Sequence, residues 1–361
     1  MQGVIGMTVI PKTKYWPPGS GDTAVAEAAE VIVSGGVVAF PTETVYGLGA
    51  DARRPEAVRR IYAAKERPAD NPLIVHVGRL EDALALAREV SPLEMRLMER
   101  FWPGPLTLVL PVRPGAVAPE VTAGLDTVAV RVPDHPLARR LIAKAGCPVA
   151  APSANRSGRP SPTTAMHVLE DMHGRIDGVL DGGPTGVGLE STVVRVKDGV
   201  IHILRPGGID AEMLRECAGE GVEVVGEGTP SSADSQSSPP RSPGVKYVHY
   251  APRGEMVLVT GDPVRVREAV QELVDKKRAE GRKVGVITCD DLASAYQADA
   301  VISLGPRDEL AEVARNLYAA LRECDARHLD FIVAEGFPEK GIGVALMNRM
   351  RKASRGNQLT V

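Results

Sequence analysis

Apolar and polar positions follow two periods along this chain, and the switches between them mark its elements. In "DTAVAEAAEVIVSGG" apolar residues recur every three or four positions. That predicts an amphipathic helix with Asp22 as N-cap and Gly35-Gly36 as its stop. "GVVAF" follows as a short buried strand. "RRPEAVRRIYAAKERP" returns to helical spacing, with Pro55 in the first turn, Val58, Ile61, Tyr62 and Lys65 at helical intervals, and Pro68 as terminator. "NPLIVHV" predicts a strand with Leu73, Val75 and Val77 on one face, and Ile74 and His76 on the other. "LEDALALAREV" and "SPLEMRLMERFW" read as helices; "LTLVLPV", "TVAVRVP", "PVAAPS", "STVVRVK" and "VIHILRP" read as β. Short strands with several helices predict one α/β domain around a large twisted sheet.

"GEGTPSSADSQSSPPRSPG", Gly226 to Gly244, is rich in Ser and Pro and nearly free of apolar side chains. It reads as a linker. Beyond it, "MVLVTG", "KVGVITCDD", "DAVISLG" and "LDFIVAEGF" predict strands. "PVRVREAVQELVDKKRAEG", "DELAEVARNLYAALREC" and "GVALMNRMRKA" predict helices. This alternation predicts a small, mostly parallel Rossmann-like sheet. The expected division is 18–225, a linker at 226–250, and a second domain at 251–361. The turn "TGDPVRV" lacks a dinucleotide glycine pattern, so no cofactor is expected there.

Composition adds bounds. The chain has 361 residues, 25% charged and with net charge −3, so no global basic field of a dedicated nucleic-acid binder is present. Cys147, Cys217, Cys289 and Cys324 form no CxxC pair and read as free thiols of a reducing compartment. "MQGVIGMTVI" does not read as a secretory signal, and no apolar run approaches the ~18 residues of a membrane span. Asn155-Arg156-Ser157 matches a glycosylation sequon by chance. A cytoplasmic protein is expected.

No GxxxxGK[ST] loop, HExxH or GxSxG is found. "GLGADA" fits GxGxxA, but "PTETVY" separates it from the preceding strand. In "FPTETVYGLGADA" an extended chain sets Thr42, Thr44 and Tyr46 on one face, which suits a small polar ligand; an ordinary edge strand is the alternative. In "KERPADNPLIVH" the cations Lys65 and Arg67 complement a helix C-terminus, Asn71 and its prolines fix a turn, and His76 is a structural strand histidine or a ligand contact. "APSANRSGRPSPT" presents Ser153, Asn155, Arg156, Ser157, Arg159 and Ser161 after an apolar strand, where α/β sheets bind ligands; a surface loop is the alternative. "DGGPTGVGLESTVVRV" brings a glycine-dense loop to Ser191 and Thr192, and Arg205 closes the next strand. Lys65, Arg67, Arg131 and Arg205, with these hydroxyls, fit a polyphosphate, whose chemistry rests on positioning and electrostatics.

The ordered series "FPTETVYGLGADA", "KERPADNPLIVH", "WPGPLTLVL", "VAVRVPDHP", "PSANRSGRPSPT", "GLESTVV" and "ILRPGGI" resembles the threonylcarbamoyl-AMP synthase family, whose catalytic unit is a YrdC-like domain. "SPGVKYVHYAP" resembles the linker of its two-domain form, and "GIGVALMNRMRKA" its C-terminal helix. The resemblance implies a YrdC-like twisted mixed β-sheet with helices, a linker, and a C-terminal Rossmann-like parallel α/β domain. It implies a nucleotidyltransferase that joins L-threonine, bicarbonate and ATP into threonylcarbamoyl-adenylate and releases pyrophosphate. This is the first step toward N6-threonylcarbamoyladenosine in tRNA, completed by a separate transferase complex. Mg²⁺ is expected with the ATP phosphates and no protein ligand.

The family pattern places threonine near Thr44, His76, Arg131, Ala151 and Ser191, with Arg131 on its carboxylate. It places ATP along Arg67, Asn71, Thr127, Ser153, Ser161, Arg205 and the linker's Ser242. Lys65, Arg67 and Asn155 complete KxR and SxN motifs and are the catalytic candidates. Lys246, His249 and Tyr250 would close the linker over the labile adenylate as a lid; an ordinary hinge is the alternative. The chain departs from the pattern at Val245, Val248 and Arg195, where methionine, a basic residue and aspartate are expected. The competing class is a tRNA or double-stranded RNA binding module without catalysis. Against it, polar residues alternate with Gly and Pro as in a small-ligand cleft, and only 4% of residues are aromatic. Weak tRNA binding is left open. The hydrogenase-maturation carbamoyltransferases carry a related domain but add an acylphosphatase module and zinc-binding cysteine pairs, neither of which is visible.

Overall fold

The computed structural model describes residues 12–226 and 250–361, so Ser242, Lys246 and His249 lie outside the described residues. The chain opens with β1 (Lys14–Trp16), α1 (Gly21–Val33), β2 (Val38–Phe40), β3 (Gly47–Asp51), α2 (Pro55–Lys65) and β4 (Ile74–His76). Next come α3 (Leu80–Leu86), α4 (Pro92–Phe101), β5 (Leu106–Pro111), α5 (Pro119–Thr122), β6 (Thr127–Arg131), α6 (Pro136–Ala145) and β7 (Val149–Ala150). The first half closes with α7 (Ala165–Met172), β8 (Gly178–Leu180), β9 (Thr192–Lys197), β10 (Val200–Arg205), α8 (Ala211–Ala218) and β11 (Val224–Val225). The second half runs β12 (Glu255–Thr260), α9 (Pro263–Ala279), β13 (Val284–Thr288), β14 (Ala300–Ser303), α10 (Leu310–Ala326), β15 (Phe331–Glu335), α11 (Ile342–Ala353) and β16 (Gln358–Thr360).

The first half forms one mixed sheet in the order β1-β8-β2-β3-β7-β4-β6-β5-β9-β10-β11. The second forms a parallel sheet in the order β14-β13-β15-β12-β16. This is the expected α/β architecture. The first sheet begins at Lys14, earlier than the boundary at residue 18. Alternation along β2 divides its core: Ala39 faces one cluster, Val38 and Phe40 the other. Val45 and Leu189 of the first half pack into the core of the second.

Local chemistry explains the elements near the site. α2 starts with Pro55 and ends because Glu66 turns left-handed (φ 53°), which lets Arg67 N–H return to the Tyr62 carbonyl at 3.0 Å. α4 carries a reciprocal Ser91–Glu94 capping box. Asp22 is not the cap of α1; it lies one residue inside the helix and pairs with Arg140 of α6. Gly47 and Gly49 lie within β3 and form no dinucleotide loop. A Cβ on Gly49 would stand 2.6 Å from the Phe40 ring, so packing is what demands glycine there.

Candidate functional site

The cavity is built where β3, β4, β6 and β7 meet the loops after β7 and before β9. β4 and β6 are parallel neighbours, with His76 directly opposite Arg131. β7 flanks β4 on its other side, and Gly47 bridges to Ser153. The cavity wall contains Thr42, Thr44, Lys65, Arg67, His76, Arg131, Ala151, Ser153, Asn155, Ser157, Glu190, Ser191, Arg205 and Tyr250. Segments far apart in sequence thus converge on one space.

Arg131 is buried and fixed on three sides. Its Nε donates to the Gly104 carbonyl at 3.2 Å and its Nη1 to Thr44 Oγ1 at 2.9 Å, while its Nη2 meets the Glu43 carboxylate. The Thr44 hydroxyl lies 2.8 Å from that of Thr42, which donates to the Val45 carbonyl at 2.7 Å. Residues 42–46 are therefore a turn closed by threonine hydroxyls, not the extended strand that alternation suggested. Tyr46 leaves the group and donates to Gly183 O at 2.8 Å.

Lys65 is buried, and its ammonium donates to the carbonyls of Ser153 at 2.5 Å and Asn155 at 2.6 Å. It clamps the loop it was expected to work beside, and one of its three donors is left over. Burial, then the Arg67 charge, push its pKa well below the ordinary lysine value; the Asp171 and Glu190 charges act the other way. Arg67 donates to the Asn71 and Pro72 carbonyls at 3.3 and 3.1 Å and is lowered to about 10, chiefly by burial. His76 is lowered to about 3 by burial and by Arg131, so it is neutral at physiological pH. Its Nδ1, both side-chain polar atoms of Asn71, Asn155 Oδ1 and Arg67 Nε are buried without a hydrogen-bond partner among the described residues. Unmet polar atoms grouped this way are what a polar ligand satisfies.

Arg205 grips Ser191 through its carbonyl (3.0 and 3.1 Å) and its hydroxyl (3.1 Å), and that hydroxyl also meets Thr107 at 2.7 Å. Three expected residues stand apart from the wall. Thr127 begins β6, four residues before Arg131. Asn71 is fully buried outside the wall, and its carbonyl accepts from Arg67 at 3.3 Å. Ser161 donates to Glu190 at 2.5 Å. Tyr250 is in the wall, and its ring packs 5.3 Å from that of Tyr318.

Sequence reasoning missed Glu43 and Glu190. Glu190 accepts from Ser161, from Tyr318 at 2.9 Å and from Arg349 at 2.9 Å. Burial acts to raise its pKa, but Arg349 and Arg205 with these hydrogen bonds outweigh it and hold the carboxyl at about 2. The available signal was a charge mismatch, an acid inside "GLESTVV" among residues suited to anions.

Residues 30–207 match the family model described as "Telomere recombination", and residues 209–355 the one described as "Threonylcarbamoyl-AMP synthase, C-terminal domain". The threonylcarbamoyl-AMP synthase of Bacillus subtilis is 49% identical, over 96% of this chain and 99% of its own. That of Schizosaccharomyces pombe is 40% identical, over 94% of this chain and 90% of its own. The crystal structure of Pyrococcus abyssi Sua5 complexed with L-threonine matches with a TM-score of 0.87 and 46% identity, over 97% of this chain and 99% of that one. The chain belongs to the threonylcarbamoyl-AMP synthase family, in its two-domain form.

Proposed function

We propose that this cavity joins L-threonine, bicarbonate and ATP into threonylcarbamoyl-adenylate with release of pyrophosphate, as a nucleotidyltransferase. The observation that carries the reading is the juxtaposition of His76 and Arg131 with Lys65, Arg67 and Arg205 in one wall. Threonine lies on the first pair, near Thr44, Ala151 and Ser191, with its carboxylate on Arg131. Arg67, Arg205, Ser153 and the outlying Asn71, Thr127 and Ser161 serve ATP, together with Ser242, which lies outside the described residues. Bicarbonate supplies CO₂, to which the threonine amine adds to give a carbamate; the hydroxide lost from bicarbonate takes up the amine proton and leaves as water. A carbamate oxygen then attacks the α-phosphorus, and the bond to pyrophosphate breaks. No covalent nucleophile takes part. The protein supplies orientation, charge neutralisation and exclusion of water. Neutral His76 serves as a hydrogen-bonding group rather than a proton store. Lys65 and Asn155 hold the loop and offer their remaining polar atoms to the reacting groups.

Mg²⁺ would be held by the triphosphate rather than by a protein ligand, and there it would neutralise charge. The Glu190 oxygens are engaged by donors. Lys246 and His249, outside the described residues, would act with Tyr250 as the lid of a chain divided at 18–225, 226–250 and 251–361. The product passes to a transferase complex in the cytoplasm. No described helix is long and apolar enough to cross a membrane. The test is pyrophosphate release from ATP by the full chain. Release is expected only with both threonine and bicarbonate; release indifferent to either overturns the reading.

A further inference from the structure

We propose that Arg349 and Tyr318 of the second domain are positioning residues for ATP, acting by neutralising and fixing Glu190. This rests on the reading that the cavity takes ATP. Glu190 lines the same wall as Arg67 and Arg205. A carboxylate in that place repels a triphosphate unless its charge is met. It is met from across the domain boundary. Arg349 Nε of α11 donates to Oε2 at 2.9 Å, and the Tyr318 hydroxyl of α10 reaches the same oxygen at 2.9 Å. Ser161 of the first domain donates to Oε1 at 2.5 Å. Glu190, Arg349, Tyr318 and Ser161 are all buried, so water does not substitute for a lost partner.

Neither Arg349 nor Tyr318 is part of the cavity wall. Their effect passes through Glu190 to the next residue, Ser191, which Arg205 grips at both carbonyl and hydroxyl. Without Arg349, the Glu190 carboxylate has two outlets. It turns its charge on the phosphates, or it recruits Arg205 and draws that guanidinium off the ligand. Both weaken ATP and leave the Arg131–Thr44 side intact. The second domain thereby completes the charge balance of the first domain's site.

The test uses the full chain and binding rather than turnover. A non-hydrolysable ATP analogue with Mg²⁺ is titrated calorimetrically, and L-threonine is titrated separately. Arg349→Met is expected to weaken the analogue about thirtyfold, with threonine affinity unchanged within about threefold. Adding Glu190→Gln to Arg349→Met removes the uncompensated charge and is expected to recover at least about tenfold. Native analogue affinity in Arg349→Met, or no recovery in the double variant, overturns the proposal; a lost structural support is not restored by a second substitution. If Arg349→Met does not fold by circular dichroism, Tyr318→Phe carries the same comparison, with about threefold weakening relieved by Glu190→Gln. A wild-type chain that binds no analogue overturns the underlying ATP reading, and the proposal with it.

Discussion

His76 has no hydrogen-bond partner at Nδ1 among the described residues and stands beside Arg131; burial first and the guanidinium charge second hold its pKa at about 3. An unfolded histidine titrates near ~6.5. Between these values the unfolded chain binds a proton that the folded chain refuses. Folded stability therefore falls as pH drops through that window and is fully retained above it. From pH 7.5 to 5 the loss attributable to His76 is about 2 kcal/mol. Glu190, held at about 2, acts in the same direction but mainly below the ordinary glutamate value near ~4.3. Denaturant titrations at pH 7.5 and 5.0 separate the two. His76→Gln is expected to lose about 2 kcal/mol less than wild type on acidification; equal losses would assign the acid sensitivity elsewhere. The strand period set His76 on one face with Ile74, and both residues line the cavity. The sequence did not reveal that Arg131 would face it, because strand register is a tertiary fact. Glu190 was harder still: its partner Arg349 lies 159 positions away.

At the scale of elements, the stretch from α2 into β4 was legible in its punctuation. Pro55 starts the helix, and the turn after Lys65 precedes an apolar strand. The division of labour within it was not. Lys65 turns back onto the Ser153–Asn155 loop through two short carbonyl contacts, whereas Arg67 makes longer ones and leaves Nε unmet among the described residues. Lys65→Met is expected to cost about 3 kcal/mol, since each hydrogen bond from a charged group is worth roughly 1.5–3 kcal/mol. Arg67→Ala is expected to cost about 1 kcal/mol. Both should lower threonine-dependent pyrophosphate release at least about a hundredfold. Equal destabilisation of the two variants by thermal melting would contradict these separate roles. The misread segment 42–46 teaches the complementary lesson. Alternating threonines satisfied a strand pattern, but their hydroxyls found acceptors within the segment and closed a turn.

The whole molecule is where the linker composition misleads most. A Ser- and Pro-rich stretch suggests two independent bodies, yet Val45 and Leu189 sit in the second domain's core. Arg322 donates to Asp171 at 2.9 Å and to the Pro160 carbonyl at 2.6 Å across the same boundary. Gly188, at φ +78°, lets the backbone of Arg315 approach so closely that a Cβ would lie 2.4 Å from its Cα. Buried pairs and a shared core make separate unfolding of either half expose unpaired charge, so one cooperative transition is expected. The two tryptophans, Trp16 and Trp102, both belong to the first half, so their fluorescence follows that half while circular dichroism follows both. The two signals should coincide on thermal unfolding of the wild type. In Gly188→Ala the left-handed backbone costs about 1–2 kcal/mol, and the added methyl forces the Arg315 backbone away. The signals should then separate, and ATP affinity should fall with the loss of contact between Glu190 and Arg349. Separate transitions in the wild type, or an unaltered single one in Gly188→Ala, would show that the halves are not joined through this approach.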